Sequence, residues 1–229
     1  MTNALESYPL AAGWEVTPEG SRRLLYAPQA YELILPAARA LPRAASPVAV
    51  GTAHEECCPW CHRQLITLLD LDLRDFRCAG ITTAGERLRL AICDWCSGYS
   101  SLFTEVDYTG KTHWSAVNGE PPDILRKVGY GNEEDTFPWP KLGLVLGLAR
   151  RTPFETLDRY LLGENGISQL GGHPEWVQYP TYPTCPTCAR RMPCIGQVSW
   201  EDLFERTEGI TYAFLCVSCQ KATTCYQQT

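Results

Sequence analysis

Eight of the 12 cysteines in this sequence stand in four Cys-x-x-Cys pairs. The pairs are arranged twice in the same way, each time as one pair followed by a second pair further along the chain. A gap of 31 residues separates the first two pairs, and a gap of 27 residues separates the last two. The members are Cys58 and Cys61 with Cys93 and Cys96, then Cys185 and Cys188 with Cys216 and Cys219.

Four thiolates are a ligand set of structural zinc, which binds its ligands tetrahedrally at about 2.3 Å. Two cysteines separated by two residues turn one loop around the metal, so a second loop must complete the set. A thioredoxin-like redox site is the alternative for any one pair, but it needs a lone pair at the start of a helix. The spacing therefore predicts two zinc sites with four cysteine ligands each. Four thiolates leave no coordination position open for catalysis.

Strand-forming segments lead into the second pair of each set. The alternation over 87–92 and the β-branched and aromatic residues over 209–215 predict strands that end at Cys93 and Cys216. A β-hairpin between the two pairs of a set then brings the pairs together. Further short strands are predicted over 31–35 and in the second half of 64–73.

Two helix starts complete the expected architecture. Thr152 to Glu155 form a capping box with proline at the first helical position, and Ser199 is a cap for a helix that runs to about Arg206. The fold class is then α+β and β-rich, with two zinc-ribbon-like units, covering helices, and a repeat that allows pseudo-symmetry. The expected domains are an N-terminal lobe over 1–150, with its ribbon at about 52–108, and a C-terminal lobe over 151–229.

Four cysteines lie outside the Cys-x-x-Cys pairs. Cys57 stands beside Cys58 and is an alternative ligand in its place. The other three, Cys78, Cys194 and Cys225, are expected to be small buried apolar side chains.

Composition restricts the classes of protein and partner. The chain has 229 residues, a net charge of -6 and 45% hydrophobic residues, an ordinary globular balance. The acidic pI of about 5.3 argues against a general nucleic-acid binder, which carries a basic excess. Neither a signal peptide nor a run of 18 apolar residues is present. We therefore expect a cytoplasmic protein with reduced cysteines and no membrane partner.

Catalytic motifs are missing from the sequence. The four histidines form no His-Glu-x-x-His motif, and neither a Gly-x-Ser-x-Gly elbow nor a phosphate-binding loop occurs. Cys194 with His173 is the one nucleophile and base pair to consider. The expectation is that the protein is not an enzyme.

The C-terminal third resembles the YwqG-like family. The motif has a Leu-Gly-Gly turn followed by a tryptophan, then a cysteine pair, then a strand ending in glutamine, and a second cysteine pair closes it. The turn also resembles that of the programmed-cell-death-protein-2-like proteins. The residues that carry the resemblance lie within about 165–229: Leu170–Gln178, Cys185–Cys188, Met192, Ile195–Gln197 and Cys216–Cys219. The resemblance implies a β-rich fold and, in a zinc-bearing branch, immunity proteins of bacterial toxins.

On this basis we predict an immunity protein that binds and occludes a cognate toxin, and the toxin expected from the resemblance is a nuclease with a basic surface. The alternative is a nucleic-acid- or ribosome-associated zinc-ribbon adaptor. A third possibility is a metalloenzyme, which would require a metal ion with fewer than four thiolate ligands. An acidic loop and nearby aromatic residues are the expected partner surface, with a solvated loop and core packing as the alternatives. These residues are Glu133, Glu134, Asp135, Trp114, Trp139 and Tyr130.

Overall fold

Strands make up most of the secondary structure that the computed structural model describes. The described residues are 10–16, 22–27, 29–35, 46–82, 85–129, 143–150, 167–204 and 207–229. Their 14 strands are β1 (Leu10–Val16), β2 (Arg22–Ala27), β3 (Tyr31–Ile34), β4 (Ser46–Val48), β5 (Thr52–Cys57), β6 (Gln64–Asp72), β7 (Arg87–Ile92), β8 (Phe103–Val106), β9 (Thr112–Trp114), β10 (Leu144–Ala149), β11 (Gln169–Leu170), β12 (Cys194–Ser199), β13 (Ile210–Cys216) and β14 (Lys221–Gln227).

The strands form three sheets. The largest has nine strands in the order β4-β10-β3-β11-β12-β13-β14-β8-β9, beside a three-stranded sheet β5-β6-β7 and the two-stranded sheet β1-β2. The nine-stranded sheet contains strands from both sides of residue 150, joined where β11 pairs with β3 and where β14 pairs with β8. Backbone hydrogen bonds therefore cross the boundary predicted between the two lobes, and the division into lobes itself stays a prediction.

Strand β13 separates two hydrophobic clusters. All seven of its residues are buried, because β12 and β14 flank it and both of its faces are covered. Tyr212 and Phe214 point into a cluster that also holds the cysteines of the second set. Ala213 and Leu215 point into the main core on the other face. The alternation is that of any strand, in which successive side chains lie on opposite faces.

Strand β6 is the centre of the three-stranded sheet. It spans the whole of 64–72 as strand, so the strand predicted for its second half is confirmed and extends further towards the N-terminus. Leu68, Leu69 and Leu71 pack in the main core. The carboxylate of Asp70 is also buried, and it pairs with the guanidinium groups of Arg87 and Arg89 on β7. These two partners offset the cost of removing a carboxylate from water.

Helices are few among the described residues. The one α-helix there is α1 (Asp123–Val128), and the short 3₁₀ helices are Phe76–Cys78, Cys96–Gly98, Ala116–Asn118 and Val217–Cys219. None of these described helices has the length and apolarity needed to cross a membrane. The helix predicted to start at Thr152 lies outside the described residues.

The helix predicted from Ser199 is wrong over the described part of that segment. Ser199 ends β12, and the residues from Trp200 to Phe204 form a turn. The carboxylate of Asp202 accepts a hydrogen bond from the backbone N–H of Ser168 at 2.8 Å. It therefore bonds a residue next to β11 that lies 34 residues away in sequence.

Candidate metal centres

The first cysteine set begins in the turn between β5 and β6. The backbone N–H of Cys58 donates to the carbonyl of Arg63 at 2.7 Å, and the N–H of His62 donates to the carbonyl of Cys58 at 2.8 Å. His62 has a φ of 62°, in the left-handed region that tight turns require. This turn directs the sulfur atoms of Cys58 and Cys61 to one side.

The second half of the first set follows β7. The last cysteine of the set, Cys96, is the first residue of the 3₁₀ helix Cys96–Gly98. The backbone N–H of Cys96 points at the sulfur of Cys93 at 3.4 Å. The hairpin of β6 and β7 lies between the two pairs and holds them together, as predicted. All four sulfur atoms lie within 4.8 Å of one another, and the group could hold a metal ion.

The second cysteine set begins with the same turn. The N–H of Cys185 donates to the carbonyl of Arg190 at 2.8 Å, and the N–H of Ala189 donates to the carbonyl of Cys185 at 2.9 Å. Ala189 has a φ of 55°, matching the place of His62 in the first turn. Both turns read Cys-Pro-x-Cys-x-Arg in the sequence. The shared arginine position is a signal of the repeat that the cysteine spacing alone does not include.

The second set closes in the hairpin between β13 and β14. Cys216 ends β13, and the 3₁₀ helix Val217–Cys219 makes the turn. The hairpin of β12 and β13 lies between the two cysteine pairs, as β6 and β7 do in the first set. These four sulfur atoms also lie within 4.8 Å of one another. A strand follows each set, and the two following strands, β8 and β14, pair with each other.

Sulfur separations in both groups fit tetrahedral coordination. Four ligands at about 2.3 Å from one metal stand about 3.8 Å apart at tetrahedral angles. The sulfur atoms of Cys58 and Cys96 are 3.8 Å apart, and those of Cys188 and Cys216 are also 3.8 Å apart. Cys61 and Cys93 are somewhat closer, at 3.4 Å. The donor set and its spacing therefore fit a divalent metal ion in each group.

In the first group the four thiols oppose one another's ionisation. Hydrogen bonding within the group, chiefly with Cys58, lowers the pKa of the Cys61 thiol. Hydrogen bonding with the same neighbour raises the pKa of the Cys96 thiol. The group thus favours one thiolate at the expense of another, because negative charges in contact repel each other. A divalent cation removes that conflict by binding all four sulfur atoms in the thiolate form.

The second group has a cationic neighbour. The Nε of Arg190 lies 3.5 Å from the sulfur of Cys188, and its Nη2 donates to the Ser218 hydroxyl at 2.6 Å. The hydrogen bond from Arg190 lowers the pKa of the Cys188 thiol to about 6. Cys188 and Cys219 are both partly exposed, whereas Cys61 alone is so in the first group. The second group is thus the more accessible to solvent.

The motif that starts with Leu-Gly-Gly extends from the main core, which holds Leu170, to the cluster around the second group. Gly171 and Gly172 both have positive φ, and a Cβ on Gly172 would stand 2.7 Å from that of Ala30. Further along the motif, the ring of Trp176 packs at 4.5 Å from that of Tyr212 in the cluster that holds the second cysteine set. The tryptophan end of the motif therefore packs in the cluster around the second group.

The remaining cysteines take different positions. Cys57 is exposed and lies outside both groups, whereas Cys58 belongs to the first group that could hold a metal ion. Cys78 is buried in the main core, and this burial raises the pKa of its thiol to about 12. Cys194 and Cys225 are only partly buried, and both pack against the cluster around the second group. Among the described residues, the metal groups include no histidine.

One residue of the predicted partner surface lies within the described structure. Trp114 is partly buried, and its ring packs edge-on against Trp60 at 5.3 Å, in the cluster around the first cysteine set. Its described contacts are therefore those of core packing. The other residues of that predicted surface lie outside the described residues: Tyr130, Glu133, Glu134, Asp135 and Trp139.

Comparison with known proteins finds a relative that aligns with nearly the whole chain. The chain is 35% identical over 226 residues to the uncharacterized protein YpfL of Salmonella typhimurium. That alignment covers 97% of this chain and 50% of the relative, so the chain spans about half the length of the protein it matches. No family model matches the chain. No solved structure matches it either.

Proposed function

We propose that this chain is a zinc-stabilised immunity protein, which binds a cognate bacterial toxin in the cytoplasm and occludes it. Both cysteine groups hold structural zinc in this proposal, and the chain catalyses no reaction. The covering helices and the pseudo-symmetric relation between the two units, predicted from the sequence, belong to the same proposal.

The observation that carries the structural role is the closed ligand set. Each group supplies four sulfur atoms within 4.8 Å of one another, enough to fill every position of a tetrahedral ion. A catalytic zinc ion keeps a position for water or substrate, which such a set does not provide. Tetrahedral sets of four thiolates are typical of zinc and of iron–sulfur clusters, and this proposal assigns zinc. A structural ion in each group would keep the binding surface of the protein rigid.

Charge and resemblance support the choice of partner. The net charge of -6 favours a basic partner, because complementary charge speeds encounter and excludes wrong partners. The Leu170–Gln178 motif and the second cysteine set are similar to the YwqG-like family, from which the immunity role comes. Together these features favour a toxin domain with a basic active-site surface, as in a nuclease.

Affinity purification of the tagged protein from its native host tests the proposal. We expect one stoichiometric protein partner that carries a basic toxin domain, identified by mass spectrometry. Ribosomal proteins or RNA in its place would reject the immunity role and favour the zinc-ribbon adaptor. Binding to labelled RNA that weakens steeply with salt would point the same way.

Charge reversal tests which surface binds. Changing Glu133, Glu134 and Asp135 to lysine should weaken binding of the partner at least about tenfold, because three attractive charges become repulsive. The control reverses two exposed acidic residues outside the loop, as Glu120→Lys with Asp123→Lys, whose side chains are 90% and 86% exposed. If the triple variant and the control bind the partner equally well, the acidic loop is not part of the interface.

A further inference from the structure

An aromatic cavity lies between the last turn of the first cysteine set and the strands β13 and β14. Its volume is about 230 Å³. Four aromatic rings line it, those of Trp95, Tyr99, Trp200 and Tyr226. This volume falls below the roughly 300–1,000 Å³ of pockets that take drug-sized ligands. It suits a small molecule or a single side chain.

Hydrogen bonds within the protein fix three of the four rings. The indole N–H of Trp95 donates to the carbonyl of Gly129 at 3.1 Å, and that of Trp200 donates to the Thr211 hydroxyl at 2.9 Å. The Tyr226 hydroxyl donates to the carbonyl of Glu208 at 2.8 Å. The polar ends of these rings are thus used by the protein itself. A ligand meets rings that are already oriented, which reduces the entropy lost on binding.

The rings form two tilted pairs. Trp95 and Tyr99 have centroids 5.7 Å apart with planes at 53°, and Trp200 and Tyr226 have centroids 5.1 Å apart with planes at 50°. Neither pair is stacked flat, so the rings do not cover each other's faces. Aromatic faces carry the negative part of the ring quadrupole, which attracts cations.

The described lining holds one acidic residue, Asp94, and no lysine or arginine. A phosphate or carboxylate ligand would therefore meet no basic side chain among these described residues. The ring of Trp95 already attracts one cation in this protein, because the guanidinium of Arg63 stands 5.1 Å from its centroid. Arg63 itself does not line the cavity.

We propose that this cavity binds an organic cation, with the four rings around an alkylammonium or guanidinium group. Such a group is present both in free quaternary amines and in arginine or lysine side chains on a protein. The proposal is independent of the toxin and its identity. It requires only that the rings stand as described.

Titration followed by NMR of the indole N–H groups tests the proposal. The probes are choline, its neutral carbon isostere 3,3-dimethylbutan-1-ol, and N-acetyl-arginine amide. Choline should shift the Trp95 and Trp200 resonances with a Kd on the order of 1 mM, about tenfold tighter than the isostere. The Trp95→Phe variant assigns its resonance. Tighter binding of choline than of the arginine amide indicates a free amine, and the reverse indicates a protein side chain.

Variants separate the cavity from general surface effects. Tyr99 is 42% exposed, so Tyr99→Ala should leave the fold intact while weakening choline binding about tenfold. Tyr179→Ala, at a ring that is 65% exposed and outside the cavity lining, should change nothing. Equal affinity for choline and its isostere, or no shift of either resonance by any probe at concentrations on the order of 10 mM, would overturn the proposal.

Discussion

Removing one ligand of the first metal group gives the sharpest test of the scaffold. The variant is Cys96→Ala, and the matched control is Cys78→Ala. Both cysteines are fully buried, with 0% and 1% of the residue exposed, and neither forms a disulfide. Each change removes one buried sulfur atom, which costs about 1 kcal/mol in lost packing. The two variants therefore differ in whether that sulfur belongs to a metal group.

The expected difference follows from the binding energy of the metal. Structural zinc contributes about 10–16 kcal/mol to small domains that fold around it, so a quarter of this, about 2.5–4 kcal/mol, is the least that losing one of four ligands should cost. With the lost packing, Cys96→Ala should lower the free energy of unfolding by at least about 3.5 kcal/mol, and by more when the ion itself is lost. In a chain of this size, each kcal/mol lowers the melting temperature by about 2–4 °C. The expected losses are therefore at least about 7 °C for Cys96→Ala and about 2–4 °C for Cys78→Ala.

Two measurements on the same samples decide whether the first cysteine group is a structural metal site. Inductively coupled plasma mass spectrometry should find about two zinc ions per chain in the unchanged protein and in Cys78→Ala, and about one in Cys96→Ala. Circular dichroism gives the melting temperatures. If Cys96→Ala keeps two metal ions and melts within about 4 °C of the control, the first cysteine group is not a structural metal site.

The two groups should also differ in how readily they release metal, and a partly buried carboxyl group should make stability depend on pH. A chelator should remove metal in two phases, and the faster phase should come from the second group, because Cys188 and Cys219 are partly exposed. The Cys96→Ala variant, which lacks a ligand of the first group, should keep the fast phase. Release of all the metal in one uniform phase would contradict this prediction. Burial raises the pKa of Glu175 to about 7 from its ordinary 4.5. The folded state therefore holds this proton more tightly than the unfolded state, and stability falls as the pH rises from about 4.5 through about 7. In urea unfolding at about pH 8, Glu175→Gln should raise the free energy of unfolding by about 1 kcal/mol over the unchanged protein, after allowing for partial exposure. Near about pH 4.5 the variant should have no advantage. An equal gain at both pH values would exclude the carboxyl group as the cause.

Local sequence patterns were sufficient to predict which cysteines come together and which strands lie beside them. The strands predicted to end at Cys93 and Cys216 are present as β7 and β13, and a hairpin lies between the pairs of each set. Each of these features depends on neighbours that lie close by in the sequence. The short strand predicted over 31–35 is likewise present, as β3.

Features that depend on distant residues could not be predicted in this way. The segment after Ser199 has a helix cap in its sequence, but Asp202 binds the N–H of Ser168 and the chain turns instead. The pairing of β14 with β8 depends on Thr223 meeting Phe103. No periodicity within either segment encodes such a register, because packing of the whole core selects it.

The first metal group also has a consequence for the proposed cation site. Asp94 and Trp95 lie between the ligands Cys93 and Cys96, and Tyr99 follows three residues later. The same turn that closes around a metal therefore carries half of the aromatic lining. Thr211, which orients Trp200, lies on the face of β13 opposite to Tyr212 and hence away from the second group. A metal in the first group thus orders the cation site directly, whereas a metal in the second group supports it only through the shared sheet.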